Sequence, residues 1–497
     1  MGVKSFLSIP FANYIVFKNK KWKNNALIYQ KKVFENLVIR ASKTQFGKDH
    51  NFSEIKNYHD FKNNVPVRSY EDFSDYIEKI KSGEEDILWP NKPIYFCKTS
   101  GTTSGTKYIP ITKESMPYHI QAARDSILAY ISETKNKSIV KGKMIFLQGS
   151  PELSKTGDIL TGRLSGIVAH HVPAYLTKNR LPSLKTNCID DWESKIDSIV
   201  EETVNEKMSL ISGIPPWVQM YLEKLKQKTG KQIKDIFPKF DLFIYGGVNF
   251  EPYRKTFEKL IGKKVDGVEL YPASEGFIAY QDSQKEEGML LCINHGIFFE
   301  FIPTDEFYEE NPTRISLKDV KIGVNYVIIL NTNAGLWGYN IGDTIKFVSI
   351  NPYRIIVSGR IKHFTSAFGE HVIAEEVEKS LKKAIKKYPA RINEFHVAPQ
   401  VNPENGLPYH EWFIEFEQEV ENLSEFTKYL DENLQELNTY YKDLIDGNVL
   451  KQLQITILEK DAFRKYMKSE GKLGGQNKVP RLANDRKIAE ELSKFKL

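Results

Sequence analysis

The sequence predicts an α/β fold with two parts, a large N-terminal domain of β-sheets flanked by helices and a small α+β C-terminal domain. Three observations carry this. From about residue 140 to 350, short apolar β-rich runs alternate with helical stretches, the pattern of sheets buried between helices. Near Ser358-Gly359-Arg360 the pattern changes to an amphipathic helix, a hairpin and further helices. At 497 residues the chain is also too long for one hydrophobic core, since domains average about 150 residues. The expected division is residues 1–358, a hinge at 359–362, and residues 363–497.

The first 90 residues read as helical. Leu27, Phe34, Leu37, Val38 and Ala41 recur at helical spacing, with Gly47 closing the segment, and Tyr70–Ile80 repeats the pattern before Gly83. Pro93–Cys97 is a short strand-like run, and a second one starts at Tyr108. Further strands are expected at Met144–Leu147, Leu242–Tyr245, Val268–Tyr271, Tyr326–Leu330 and Ile345–Ser349. Val377, Leu381, Ala384 and Tyr388 mark a helix whose opposite face carries Lys379, Lys382, Lys383, Lys386 and Lys387, read as a solvated charged face. Glu394–Gln400 and His410–Glu417 form a hairpin around Asn405-Gly406. A long helix over Leu423–Ile445, a strand at Leu453–Leu458 and a terminal helix after Asn484 complete the chain.

Composition narrows the function. Hydrophobic residues make up 41%, and 29 Phe with 25 Tyr supply core material, so the chain is not disordered. Lys+Arg 70 against Asp+Glu 64 leaves only +6, which argues against nucleic acid as a partner. Cys97, Cys188 and Cys292 are too scattered for a disulfide framework or a metal knuckle, which points to a reducing cytoplasm. No apolar stretch is long enough to span a membrane. The run from Phe6 to Phe17 is broken by Pro10 and Asn13 and lacks a cleavage site, so it is expected to be an arm packed on the body. His170-His171 and His295 invite a metal, but adjacent residues of a strand point to opposite faces, and packing is the better reading.

Between Lys98 and Lys107 lie six hydroxyls and two glycines: Thr99, Ser100, Gly101, Thr102, Thr103, Ser104, Gly105 and Thr106. Glycines let backbone N–H groups approach an anion closely, and hydroxyls add donors, so the loop suits phosphate. It is not a Walker loop, because Lys107 follows Thr106 rather than a glycine.

The run Thr99–Lys107 resembles the phosphate loop of adenylate-forming enzymes. With Tyr108-Ile109-Pro110 it resembles the Gretchen-Hagen (auxin-responsive) acyl acid-amido synthetases of plants and their bacterial relatives. Tyr271-Pro-Ala-Ser-Glu275, Tyr339-Asn-Ile-Gly-Asp343 and Gly475-Gln-Asn-Lys478-Val-Pro-Arg481 resemble three further motifs of that family, in order. Pro272 and Asn340 depart from the plant pattern, and Asn340 favours the bacterial branch.

The resemblance implies an adenylate-forming fold with a mobile C-terminal domain and ATP and Mg²⁺ as cofactors. The substrates would be a carboxylic acid and an amine, an amino acid in the family's usual chemistry, joined as an amide through an acyl-adenylate. Lys107 and the loop would hold the β- and γ-phosphates, Glu275 the Mg²⁺, and Ser274 the α-phosphate. The Tyr271 ring would border adenine, with Asp343 on the ribose hydroxyls and Arg360 as a second ribose or phosphate contact. Lys478 would neutralise developing charge from the mobile domain, and Phe368-Gly369-Glu370-His371 would form a gate. Ser212–Trp217 and Tyr245–Asn249 would border the groove. The alternatives are an acyl-CoA ligase forming a thioester and a non-catalytic nucleotide-binding protein; a monomer is favoured over an oligomer.

Overall fold

The computed structural model describes residues 3–100, 106–172, 178–189, 192–247, 250–361, 364–365, 372–401, 403–447, 450–473, 478–483 and 485–497. The chain divides into two compact units. The first comprises Met1–Ile341 and Ile345–Ile356; the second comprises Gly342–Thr344, Val357–Leu473 and Asn477–Leu497.

In the first unit, the helices predicted before residue 90 are present, chiefly Val3–Lys23, Ala26–Ala41 and Ser74–Lys81. Two details differ from expectation. Leu27 is 44% exposed, because the buried face runs through Ala26, Gln30, Phe34, Leu37, Val38 and Ala41. Gly47 does not close that helix; it sits inside a short one, Gln45–Asp49, pressed against the preceding helix end. A Cβ there would lie 2.0 Å from the Ala41 carbonyl oxygen, so the residue serves close approach.

The central sheet runs through five mutually parallel strands: Asp266–Ala273, Leu242–Gly246, Met208–Ser212, Lys143–Phe146 and Arg180–Leu181. Leu242–Tyr245 is buried throughout, as a strand covered on both faces must be. The covering helix Pro215–Thr229 begins with Pro and ends at Gly230 in the left-handed region (φ +69°), the usual start and stop chemistry. Beyond Asp266–Ala273 the sheet continues through Gly276–Tyr280, Met289–Leu291, Tyr353–Arg360, Tyr339–Ile350, Asn325–Thr332, Ile297–Pro303 and Ile315–Ser316. A separate four-stranded sheet contains the hairpin Tyr95–Ser100 with Thr106–Ile111. His170 and His171 follow the helix Leu164–Ala169 rather than lying on a strand. His170 Nε2 bonds the Pro151 carbonyl at 2.8 Å and His171 Nε2 bonds the Tyr95 hydroxyl at 3.0 Å, and no metal-holding cluster exists among the described residues.

The second unit packs helices on a three-stranded sheet of Arg391–Gln400, Tyr409–Gln418 and Gln454–Leu458. Trp412, Phe395, Val397, Phe426 and Leu430 share its core. The lysine face of the helix Ala374–Lys387 is exposed to solvent as expected, with Lys379 paired to Glu375 one turn back, Lys383 to Glu436, and Lys387 over the Tyr429 ring. The helix expected over Leu423–Ile445 is two, Leu423–Leu437 and Thr439–Asp446. Asn438 makes the break, since its side-chain oxygen accepts from the Tyr441 N–H at 2.8 Å and caps the second helix. A helix not foreseen, Ala462–Ser469, follows the last strand.

A buried polar network in the first unit fixes the approach to the sites described next. Glu300 is fully buried and accepts from Arg314 at 2.5 Å and from Asn331 Nδ2 at 2.7 Å. Arg314 also donates to the Val65 carbonyl, while Asn331 Oδ1 accepts from the Gly338 N–H at 2.7 Å. Gly338 has φ +57°, and a Cβ there would lie 2.3 Å from the Pro66 oxygen. The segment after Val65 is thereby laid against the strand that starts at Tyr339, with Arg68 N–H to Gly338 O and Asn340 N–H to Arg68 O both 2.8 Å.

Breaking this buried pair leaves an uncompensated charge, which typically costs about 3–5 kcal/mol. Arg314→Leu is therefore expected to lower unfolding free energy by about that much in urea titration. A loss below about 1 kcal/mol would show that the pair carries little of the fold.

Candidate active site

Two hairpins of the first unit bring the predicted phosphate and metal residues together. The strands Tyr95–Ser100 and Thr106–Ile111 pair Thr99 with Lys107 and Ser100 with Thr106, so the hydroxyl-rich segment is the hairpin tip. Residues Gly101–Gly105 lie outside the described residues. The second hairpin joins Asp266–Ala273 to Gly276–Tyr280, with Ala273 opposite Gly276. That leaves Ser274 and Glu275 as its two-residue turn, where both side chains stand clear of the sheet.

The strand of the first hairpin is joined to the turn of the second by a residue that sequence reasoning passed over. Cys97 is fully buried, and its thiol donates to Ser274 Oγ at 3.1 Å. Burial pushes this thiol up to about 12, so it stays protonated as a donor. Because Ser274 accepts from Cys97, its own O–H is left for a different acceptor. Glu275 is felt electrostatically by Cys97 and accepts a hydrogen bond from the Tyr339 hydroxyl. Tyr339 is 1% exposed; desolvation first, then the charge and hydrogen bond of Glu275, raise its phenol well above the usual value, so it acts as a donor. A carboxylate is the donor type that Mg²⁺ takes, and a single protein carboxylate suits Mg²⁺ held together with phosphates.

Cations border the loop. The Lys107 ammonium lies 5.4 Å from the centre of the Tyr70 ring, and Lys98 and Lys81 lie over the Tyr108 ring at 5.9 and 4.0 Å. Tyr70, also missed from sequence, accepts from the Tyr108 N–H at 2.8 Å. It reaches the hairpin because its segment is pinned by Gly338, a long-range pairing with no local sequence signal. Tyr271 is 8% exposed and packs in the core with Phe277 and Ile278.

Asp343, Arg360 and Lys478 come together in the second unit. Arg360 Nε contacts Asp343 Oδ1 at 2.8 Å, so the two candidate ribose residues stand side by side. The Ile361 N–H bonds the Gly342 carbonyl at 2.7 Å and holds the two side by side. Lys478 is brought in by the chain that follows it. Val397 N–H bonds Arg481 O and Ala483 N–H bonds Val397 O, both at 2.9 Å, so residues 481–483 lie along the sheet. Arg481 is anchored to Glu378 at 3.0 Å and to Glu394 at 3.1 Å. His396, held neutral by burial, adds a bond from Nδ1 to the Pro480 carbonyl at 2.5 Å.

Lys478 keeps solvent-exposed area, yet protein crowds its ammonium. That desolvation, then the charge of Arg360, lowers it to about 8; Asp343 opposes the fall and Arg481 adds to it. The gate proposed at Phe368–His371 and residues 474–477 lie outside the described residues.

Comparison with known proteins places this geometry. The GH3 family N-terminal domain matches residues 18–190 and 161–265, the GH3 family central domain 290–360 and the GH3 family C-terminal domain 375–487. Indole-3-acetic acid-amido synthetase GH3.3 of Arabidopsis thaliana is 21% identical over 94% of this chain and 91% of its own. Jasmonoyl–L-amino acid synthetase JAR4 of Nicotiana attenuata is 22% identical, over 58% of this chain and 60% of its own length. The solved GH3.15 acyl acid amido synthetase superposes with TM-score 0.80 at 17% identity, covering 96% of this chain and 95% of that one. A 2-hydroxyisobutyryl-CoA ligase in its postadenylation state shares the fold more distantly, with TM-score 0.58 at 12% identity over 94% and 90% of the two chains.

The Lys478 environment makes a direct prediction. In NMR of methyl-labelled lysines, one resonance should titrate near pH 8 and be absent from Lys478→Arg. Arg360→Ala should raise that midpoint and Asp343→Ala should lower it further. A midpoint at the ordinary lysine value in the unmodified chain would show that the ammonium is not crowded.

Proposed function

The chain belongs to the GH3 family, and we propose that it is an ATP-dependent acyl acid-amido synthetase that joins a carboxylic acid to an amine, most naturally an amino acid. The observation that supports the reading is the contact of the Cys97 thiol with Ser274 Oγ, which joins the hydroxyl-rich hairpin that carries Lys107 to the Ser274-Glu275 turn.

In the first step a carboxylate oxygen of the acid attacks the α-phosphorus of ATP, the bond to the bridging oxygen breaks, and pyrophosphate leaves. Positioning and charge neutralisation do most of this work. Thr99–Thr106 and Lys107 hold the outer phosphates, and the free O–H of Ser274 donates to the α-phosphate. Glu275, bonded by the Tyr339 hydroxyl, would hold Mg²⁺, which would supply neutralisation of phosphate charge. Asp343 accepts from the ribose hydroxyls, with Arg360 fixing its direction, and Tyr271 supports the adenine side from the core. Lys478 places positive charge on the developing pyrophosphate-side oxygens. In the second step the amine attacks the acyl carbon, AMP leaves, and the amine gives up a proton. The motion of the C-terminal domain about residues 359–362 would withdraw Lys478 between the steps. Asn340 supports placing the chain in the bacterial branch of the family.

The test is acyl-dependent exchange of labelled pyrophosphate into ATP, across a panel of carboxylic acids. No exchange with any acid would leave a nucleotide-binding protein. Exchange followed by product with coenzyme A but with no amine would give the thioester ligase instead.

Two variants test the assignments. Asp343→Ala should weaken ATP binding by about 1.5–3 kcal/mol, with KM for ATP rising more than kcat falls. An unchanged KM removes the ribose role. Lys478→Ala should cut pyrophosphate exchange by about 10²–10³ while still forming amide from a synthetic acyl-adenylate. Because its ammonium is charged below about pH 8 and neutral above, kcat/KM for ATP should decline above that pH, and Lys478→Arg should abolish the decline.

A further inference from the structure

The N-terminal helix Val3–Lys23 is apolar on two faces. One face packs on the body: Ala12, Ile15, Asn19 and Trp22 are buried, with Ala12 and Ile15 in a cluster with Leu128 and Ile131 of the helix Met116–Thr134. The other face has no such cover. Leu7, Phe11, Tyr14 and Phe17 are 52, 47, 60 and 72% exposed. At 100° per residue, Leu7, Phe11 and Tyr14 fall within one narrow stripe, Phe17 borders it, and Lys18 and Lys21 continue it toward the helix end. The exposed apolar part extends about 15 Å along the axis. Singly exposed apolar residues are unremarkable, but a contiguous row of three aromatics and a leucine marks an interaction surface.

We propose that this face docks on an anionic lipid bilayer surface. Charge selects that occupant. The helix contains no Asp or Glu, and Lys18, Lys20 and Lys21 are exposed at its C-terminal end, while Lys23 is engaged by Asp282. A helix with aromatics and leucine at one level and lysines beside them lies in the interface plane, rings at the acyl boundary and ammonium groups on the phosphates. No described helix is long and apolar enough to cross a membrane, so the contact is peripheral. The family match begins at residue 18, so the apolar row precedes the matched region.

The test is co-sedimentation of the full chain with vesicles of phosphatidylcholine alone or containing about 30% phosphatidylglycerol, at low and high salt. Partition onto the anionic vesicles should exceed that onto neutral ones by about tenfold or more, and should fall as salt rises. Phe11→Ser with Phe17→Ser should lower it by about tenfold, and Lys18→Glu with Lys21→Glu should lower it at least as much. All four positions face solvent, so these variants should keep the wild-type melting temperature and pyrophosphate exchange. Absence of anionic-vesicle binding, or binding that the variants do not weaken, overturns the proposal. If light scattering then shows a dimer that Phe11→Ser dissociates, the face belongs to a second copy; a monomer assigns it to an acidic protein surface.

Discussion

The fully buried Glu300 carboxylate, with Arg314 and Asn331 on it, is the constraint from which the first unit's site is built. A charge removed from water must be compensated locally, and each compensating group is also tied to backbone from elsewhere in the chain. Arg314 fastens the Val65 carbonyl and Asn331 fastens the Gly338 N–H. Beyond those points the chain brings Tyr70 to the Tyr108 N–H and Tyr339 to Glu275. Residues distant from both contacts therefore decide where two of the groups at the candidate site stand.

The division of labour between the two units follows from chain topology. The two hairpins are built by neighbouring strands of the first unit and joined by a thiol and a hydroxyl. The Asp343–Arg360–Lys478 group uses a different device, a short stretch laid along a sheet edge and anchored through Arg481. Gly342–Thr344 lie on a strand begun in the first unit yet cluster with the second, so that single strand serves both.

Much of this was legible in the sequence, and the failures are instructive. Strands such as Leu242–Gly246 announce themselves because burial on both faces demands unbroken apolar residues. The loop 99–106 stood out by its hydroxyls and glycines, and the Ser274-Glu275 turn only by its resemblance to a family motif. Tyr70 and Cys97 were not, because their roles come from partners 38 and 177 residues away, Tyr108 and Ser274, and neither side chain departs from ordinary core composition. Leu27 and Gly47 were misread for a related reason: periodicity registers an apolar residue but not whether a neighbour covers it, and a glycine permits close approach as readily as it ends a helix. Asn438 looked like helix interior until its side chain was seen capping the next helix.

Cys97 sits at the heart of the first cluster, and its burial has a physiological reading. Thiolate is the form that peroxide and alkylating agents attack, and a thiol raised to about 12 offers almost none at neutral pH. With no exposed surface, it is also closed to glutathione-sized reagents. The chain thus sets a sulfur against Ser274 without giving it the reactivity of an exposed thiolate, so peroxide or an alkylating agent should leave Cys97 unmodified while the protein stays folded.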